Sequence, residues 1–449
     1  FEGGRLYNLQ ERMKVHNVCM ISDFFYPNMG GVENHIYQLS QCLIARGHKV
    51  IVVTHSYGDR SGIRYLSNFL KVYYLPILAV YNQVTLPTLL TALPLLRDIF
   101  IREQITVVHG HGAFSALCHE GILHSRTAGI HAVFTDHSLF GFADASSVIT
   151  NKFLEVILTD VDHVICVSYT SKENTVLRAS LKPDNVSVIP NAVDTSCFTP
   201  QPSSRKEGQV TVVVMSRLVY RKGIDLLAAI IPILCANHPD VHFLIGGDGP
   251  KRVLLEETRE RFQLQDRVQL LGGLDHAQVR NVLVQGDIFL NTSLTEAFCI
   301  AIVEAASCGL QVVSTSVGGV PEVLPPDLIW IAEPNVQALT EALEQAIQSH
   351  RQGTRISHQE MHNRIKVLYT WQDVAKRTEK IYDSIQQNPN RSFVQQISKY
   401  YKIDMFGWFY VAVLALLHLL LVLMRWINPA EDIDIVPSIK HNKPARNLV

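Results

Sequence analysis

Apolar runs closed by turn residues recur along this chain, with helical periodicity between them, and that alternation leaves few folds open. In the first half the runs are HNVCMIS (16–22), HKVIVVTH (48–55), ITVVHGH (105–111), HAVFTDH (131–137), HVICVS (163–168) and VSVIP (186–190). Between the first two, residues 34–46 set Ile36, Leu39, Leu43 and Ile44 on one helical stripe that ends at Gly47. A polar stretch, QPSSRKEGQ (201–209), reads as a linker. The alternation then restarts with VTVVVMSR (210–217), VHFLIGGDGP (241–250), VQLLGG (268–273), DIFLNTS (287–293) and LQVVSTS (310–316). The pattern predicts an α/β chain with two Rossmann-like halves, 14–200 and 208–368, facing a cleft. Ligands in such sheets bind beyond the carboxyl ends of the strands. An amphipathic helix is expected within 369–388.

One segment departs from the soluble pattern. FGWFYVAVLALLHLLLVLM (406–424) is apolar apart from His418, and as a helix it would be about 28 Å long, near the hydrocarbon thickness of a bilayer. Trp408, Tyr410 and Trp426 lie near its ends, as interfacial aromatics do. A transmembrane helix is therefore expected at 406–426, with a short tail at 427–449. Basic residues flank the span on both sides, so they do not orient it.

The net charge of -1 argues against a nucleic-acid binder. The 8 cysteines are scattered, with no C-x-x-C and no Cys/His cluster at zinc spacing, and read as reduced thiols. The polar N-terminal segment FEGGRLYNLQERMK reads as no signal peptide. No cofactor or metal is expected. Asp160-Val161-Asp162 has a D-x-D form, but it lies between a helix and a strand of the first half and reads as coincidence; Asp432-Ile433-Asp434 lies beyond the span, away from the body.

Four stretches place chemistry at the cleft. Gly30-Gly31 follows the first strand and precedes a helix, where a backbone can approach an anion. SRLVYRKG sets Arg217 and Lys222 at a strand end, two cations suited to a diphosphate. His137 lies just past a strand end in TDH. In TEAFCIAIVEAASCG, Glu296 either closes a capping box with Ser293 or faces a ligand, and Glu304 lies on a helix rich in Ala, Ile and Val. Eight residues at about 1.5 Å each along a helix put their backbones about 12 Å apart, which disfavours, without excluding, an acid and base across one bond. Two grips on one long ligand fit better.

These motifs together resemble the retaining GT-B glycosyltransferases of family GT4: the E-x7-E spacing of Glu296 and Glu304, the SRLVYRKG loop, GGVE and TDH. The longer stretches ISDFFYPNMGGVENHIYQLSQCL, FTDHSLFGFAD and LNTSLTEAFCIAIVEAASCGLQVVST narrow the resemblance to catalytic subunits of phosphatidylinositol N-acetylglucosaminyltransferases. The resemblance implies a GT-B fold and transfer of GlcNAc from UDP-GlcNAc to phosphatidylinositol, the first step of GPI-anchor synthesis. It also implies other subunits and a place in the endoplasmic reticulum membrane, body cytosolic and tail lumenal. Carried over by position, Glu304 would hold the ribose. Glu296 would meet the sugar hydroxyls, with the amides of Phe298, Cys299 and Ile300. Arg217 and Lys222 would neutralise the diphosphate, over which Gly30 and Gly31 close, and His137 would sit near the anomeric centre. Many relatives have Gly-Phe-Gly after the first glutamate; here Ala297, Phe298 and Cys299 stand there. A mannosyl transferase of the same family would use the same clamp, and a non-catalytic scaffold subunit is the non-enzymatic alternative.

Overall fold

A computed structural model describes residues 14–437 apart from 82, 89, 140–144, 207 and 404. The alternation in the sequence becomes two sheets. The first is built around Asn17–Ile21, with Lys49–His55 and then Lys71–Leu75 on one side. On its other side follow Val107–His111, His131–Asp136, His163–Cys166 and Val186–Val188, all parallel. Only the edge strand Gly62–Tyr65 runs antiparallel. Its four residues are all exposed, so no apolar alternation marks it in the sequence. The second sheet is wholly parallel, in the order Val268–Gly272, Val241–Gly246, Val210–Met215, Ile288–Asn291, Gln311–Thr315, Ile329–Ala332. That is the Rossmann order, in which the strand sequence reverses beside the first strand.

The reversals position the site. In the second sheet the switch falls between Val210–Met215 and Ile288–Asn291, so the loops bearing Arg217 and Glu296 emerge side by side. In the first sheet it falls between Asn17–Ile21 and Val107–His111, the strands that lead to Gly30 and to Phe114. Central strands such as Lys49–His55 and Val210–Met215 are buried along most of their length, which is why they read as Val-rich apolar runs.

The helix Trp371–Ile385 returns to the first half and packs on Gly31–Ala45. It is pinned there by Arg46 Nε to Glu379 at 2.7 Å, His16 Nε2 to Asp383 at 2.8 Å and Tyr382 to His109 Nδ1 at 2.7 Å. The next helix, Phe393–Tyr400, docks on the first half through Asp160 and Asp162. Arg391, two residues before that helix, donates from Nη1 to Asp160 at 2.7 Å and pairs through Nη2 with Asp162 at 3.3 Å, and Arg126 of the first half also holds Asp162, at 2.7 Å. The D-x-D carboxylates are thus held by arginines and tether the C-terminal segment.

The apolar segment forms one helix, Met405–Ile427, long and apolar enough to cross a membrane. Gly407, Tyr410, Leu414, Leu417 and Leu421 are buried along one heptad-spaced stripe. That stripe packs on the helices Ala116–Thr127 and Ala145–Leu158 of the first half. Phe406, Phe409, Leu419, Val422 and Trp426 face outward. Residues after the helix, expected to lie away from the body, rest on it here. Arg97 Nη2 donates to Asn428 O at 2.7 Å, Val436 N donates to Arg102 O at 2.9 Å, and Ile433 is buried.

Candidate active site

The cleft holds two adjoining cavities. One, of 570 Å³, is lined by Gly30, Gly31, Gly247, His276 and Glu304 among others. The second, of 270 Å³, is lined by Phe24, Phe114, His137 and Glu296 among others. Arg217 and Lys222 line both, so two cations stand where the cavities meet.

The cationic loop is locked to the glutamate loop through the main chain. Leu294 N donates to Arg221 O at 2.9 Å, and Thr292 Oγ1 donates to Lys222 O at 2.8 Å. Gly223 takes φ +64°, and a Cβ there would lie 1.8 Å from Thr292 O, so only glycine allows this approach. Lys222 Nζ pairs with Glu296 Oε1, which also accepts from Ser293 Oγ at 2.8 Å. Both contacts fall on one oxygen, and Oε2 carries no bond among the described residues.

Of the two readings of Glu296, the capping box with Ser293 does not form. The helix begins at Ile300, and its N-cap is Cys299 with no side-chain cap bond. Glu296 lies in the preceding loop, so the 12 Å helical separation from Glu304 does not apply. Cys299 adopts φ +66°, a left-handed conformation that costs a non-glycine residue roughly 1 kcal/mol or more. This is the position where many GT4 relatives carry glycine. Burial also pushes the Cys299 thiol up, which keeps it protonated.

Glu304 lies in the second turn of that helix, 8% exposed. It accepts from His276 Nε2 at 3.0 Å, and that hydrogen bond raises the His276 pKa. Phe298 is buried against Tyr369, while Gly31 approaches the Ile300 side chain, bringing the glycine loop of the first half to the start of the helix. A Cβ on Gly30 would lie 2.4 Å from Glu33 Oε2. Glu33, buried in the first turn of its helix, has its pKa raised by desolvation, against which Arg217 acts.

Three histidines from separate strand ends and a helix gather behind the second cavity. The ring nitrogens of His35, His111 and His137 lie within 4.8 Å of one another, a grouping that the sequence spacing did not show. His111 Nδ1 is 3.3 Å from His137 Nε2, and His35 Nδ1 is 2.7 Å from Asn191 Oδ1. Desolvation lowers His35 to about 4 and holds His111 and His137 well below their usual value. His137 therefore meets the cavity as a neutral ring, able to donate or accept one hydrogen bond there. The donor set would also suit a borderline cation such as zinc.

Sequence reasoning missed His276, Glu33, Asn191 and Glu322. The last clamps the halves together: its carboxylate accepts from Tyr169 N at 2.6 Å and Thr170 N at 2.8 Å. A helix start capped by a carboxylate from the other half has no local signature.

Comparison with known proteins bears on this geometry. The PIGA (GPI anchor biosynthesis) family matches residues 55–144, and the Glycosyl transferases group 1 family matches residues 198–365. A phosphatidylinositol N-acetylglucosaminyltransferase subunit of Homo sapiens is 59% identical over 434 residues, covering 96% of this chain and 89% of the human protein. The chain belongs to the PIGA family of phosphatidylinositol N-acetylglucosaminyltransferase subunits. The Arabidopsis thaliana counterpart, which bears the same name, is 55% identical over 94% of each chain. Sucrose-phosphate synthase from Thermosynechococcus elongatus shares the fold, with a TM-score of 0.66 at 20% identity over 83% of this chain and 99% of that one. The chain is thus a GT-B glycosyltransferase subunit of GPI-anchor biosynthesis, and its family is named as one subunit of a larger enzyme.

Proposed function

We propose that the cleft moves GlcNAc from UDP-GlcNAc to an inositol hydroxyl of phosphatidylinositol with retention at the anomeric carbon. The observation that carries this reading is the placement of Arg217 and Lys222 at the junction of the two cavities. Glu304 then holds the ribose at one end, with His276 orienting its carboxylate. Glu296 holds the sugar at the other through its free Oε2. The amides of Phe298, Cys299 and Ile300 add donors, and Gly30 and Gly31 let the backbone close on the diphosphate. The C1–O bond to the diphosphate breaks as the inositol oxygen bonds to C1 on the same face, and the departing phosphate oxygen takes the hydroxyl proton. Arg217 and Lys222 stabilise the negative charge that grows on that oxygen. His137, neutral at the anomeric end, hydrogen-bonds the sugar. The names of the relatives support GlcNAc and phosphatidylinositol as donor and acceptor groups.

Supplied with radiolabelled donors, the assembled complex labels phosphatidylinositol from UDP-GlcNAc. Label entering from GDP-mannose instead would favour a mannosyl transferase, and no label from either would favour a scaffold.

The reading places the body on the cytosolic face of the endoplasmic reticulum, with the helix from Met405 crossing once and the tail in the lumen. Such a pass requires the stripe from Gly407 to Leu421 to leave the helices Ala116–Thr127 and Ala145–Leu158, and Asn428 and Val436 to leave Arg97 and Arg102, a conformation distinct from the docked one. A tag at the C-terminus of the full chain is then protected from protease in sealed microsomes. Digestion would instead place the tail beside the body, with the helix lying along the bilayer face.

A further inference from the structure

The sequence carries no charged residue between Lys71 and Arg97, and a small antiparallel hairpin, Ala79–Tyr81 with Val84–Thr85, stands in that stretch outside both large sheets. Its apolar side chains are turned outward: Leu78 is 81% exposed, Val80 58% and Leu86 61%. Soluble surfaces rarely gather such residues without a partner.

The foot of the hairpin is held by buried carboxylates. Thr85 N donates to Asp23 Oδ1 at 3.3 Å, and Thr88 Oγ1 donates to Glu120 Oε2 at 2.8 Å. Asp23 also accepts from Ser115 Oγ at 2.9 Å and from Leu117 N at 3.1 Å. The residues next to these anchors, Phe24 and Phe114, line the 270 Å³ cavity at the sugar end of the cleft. Hairpin and cavity wall therefore share one rigid mount.

The same mount adjoins the apolar C-terminal helix. Glu120 belongs to Ala116–Thr127, the helix on which Met405–Ile427 packs. Ala92–Arg102 also packs on Ala116–Thr127, shows Leu95 to solvent, and reaches the end of the C-terminal helix through Arg97. In this docked conformation the hairpin strand Val84–Thr85 and the candidate membrane helix thus both rest on Ala116–Thr127.

We propose that the outward face of the hairpin and its flanks, Leu78, Val80 and Leu86, is a second bilayer-inserting element that sets the sugar end of the cleft at the lipid surface. Its occupant is the acyl and headgroup boundary of the membrane. A cleft fixed there receives a lipid acceptor's headgroup without the acyl chains leaving the bilayer. This rests on the lipid-acceptor reading above.

Two measurements on the full chain in its assembled complex test it. A nitroxide attached at residue 80 (Val80→Cys), compared with the labelled parent to account for the exposed Cys197, reports collision with oxygen and with a water-soluble nickel chelate in phosphatidylcholine–phosphatidylinositol vesicles. Preferential access for oxygen supports insertion whether or not the substrate assignment holds; preferential access for the chelate overturns it. Separately, the triple variant Leu78→Asp, Val80→Asp, Leu86→Asp lowers transfer to long-chain phosphatidylinositol in vesicles by about tenfold or more, while transfer to water-soluble dioctanoyl phosphatidylinositol is unchanged. Equal loss on both acceptors, no loss on either, or loss of co-purifying subunits overturns the proposal, the last by showing a protein partner on this face.

Discussion

Lys222→Ala lowers glycosyl transfer by the assembled complex by roughly 100-fold or more, the scale on which removal of one preorganised charge donor acts. Among the described residues, Lys222 touches both cavities and also pairs with Glu296. Its removal takes a positive charge from the leaving diphosphate and leaves the part-buried Glu296 carboxylate with only Ser293. The fold survives, because the loop is held by Lys222 O and Arg221 O rather than by the ammonium. Transfer from labelled donor, read beside the melting temperature, checks both parts. A variant with normal transfer removes Lys222 from the site; a variant that fails to assemble leaves the loop argument wrong.

The second large effect is on stability. Lowering the pH from 7 to 5 should drop the melting temperature by about 10 °C or more. Desolvation lowers His35, His119 and His124 to about 4 and His109 to about 3. Both ring nitrogens of His124 are buried without a hydrogen-bond partner among the described residues. In the unfolded chain an imidazole titrates near 6.5, so below that pH the unfolded state binds more protons than the fold does. The stability these neutral rings allow is complete above 6.5 and is lost as pH falls toward 4. At pH 5 each costs on the order of 2 kcal/mol, and four together approach the whole stability of a typical domain. Asp23 acts in the opposite sense, since burial raises its pKa and the fold holds its proton more tightly. A melting temperature constant from pH 7 to 5 would contradict the buried neutral cluster.

Much of the fold is legible because buried parallel strands must be apolar throughout. Val210–Met215 and Gln311–Thr315 announce themselves by composition. Ile329–Ala332, a short edge strand with Trp330 and Ile331 only part-covered, does not. At the candidate site, Arg217, Lys222 and Glu296 are legible because charged residues in loops after strands have few structural reasons to be there, and Glu304 because it is a carboxylate in an otherwise apolar helix. The S-x-x-E spacing of Ser293 and Glu296 misleads for a physical reason. The same spacing that closes a capping box also lets a serine in a tight loop donate to the carboxylate three residues on. The start of the helix then depends on the backbone at Cys299, whose positive φ a sequence pattern does not reveal. The histidine cluster and the Glu322 clamp were hidden because they exist only once distant strand ends and the two halves are placed in space.

The account rests on one nucleotide sugar gripped at both ends, and ligand affinity tests that most directly. Dissociation constants for UDP and for UDP-GlcNAc, measured on the assembled complex, should separate the two glutamates. Glu304→Gln weakens both ligands alike, because it loses the ribose that both carry. Glu296→Gln weakens UDP-GlcNAc while leaving UDP unchanged, because only the former carries the sugar. Loss of UDP affinity in Glu296→Gln, or unchanged affinity for both ligands in Glu304→Gln, would contradict the two-ended clamp.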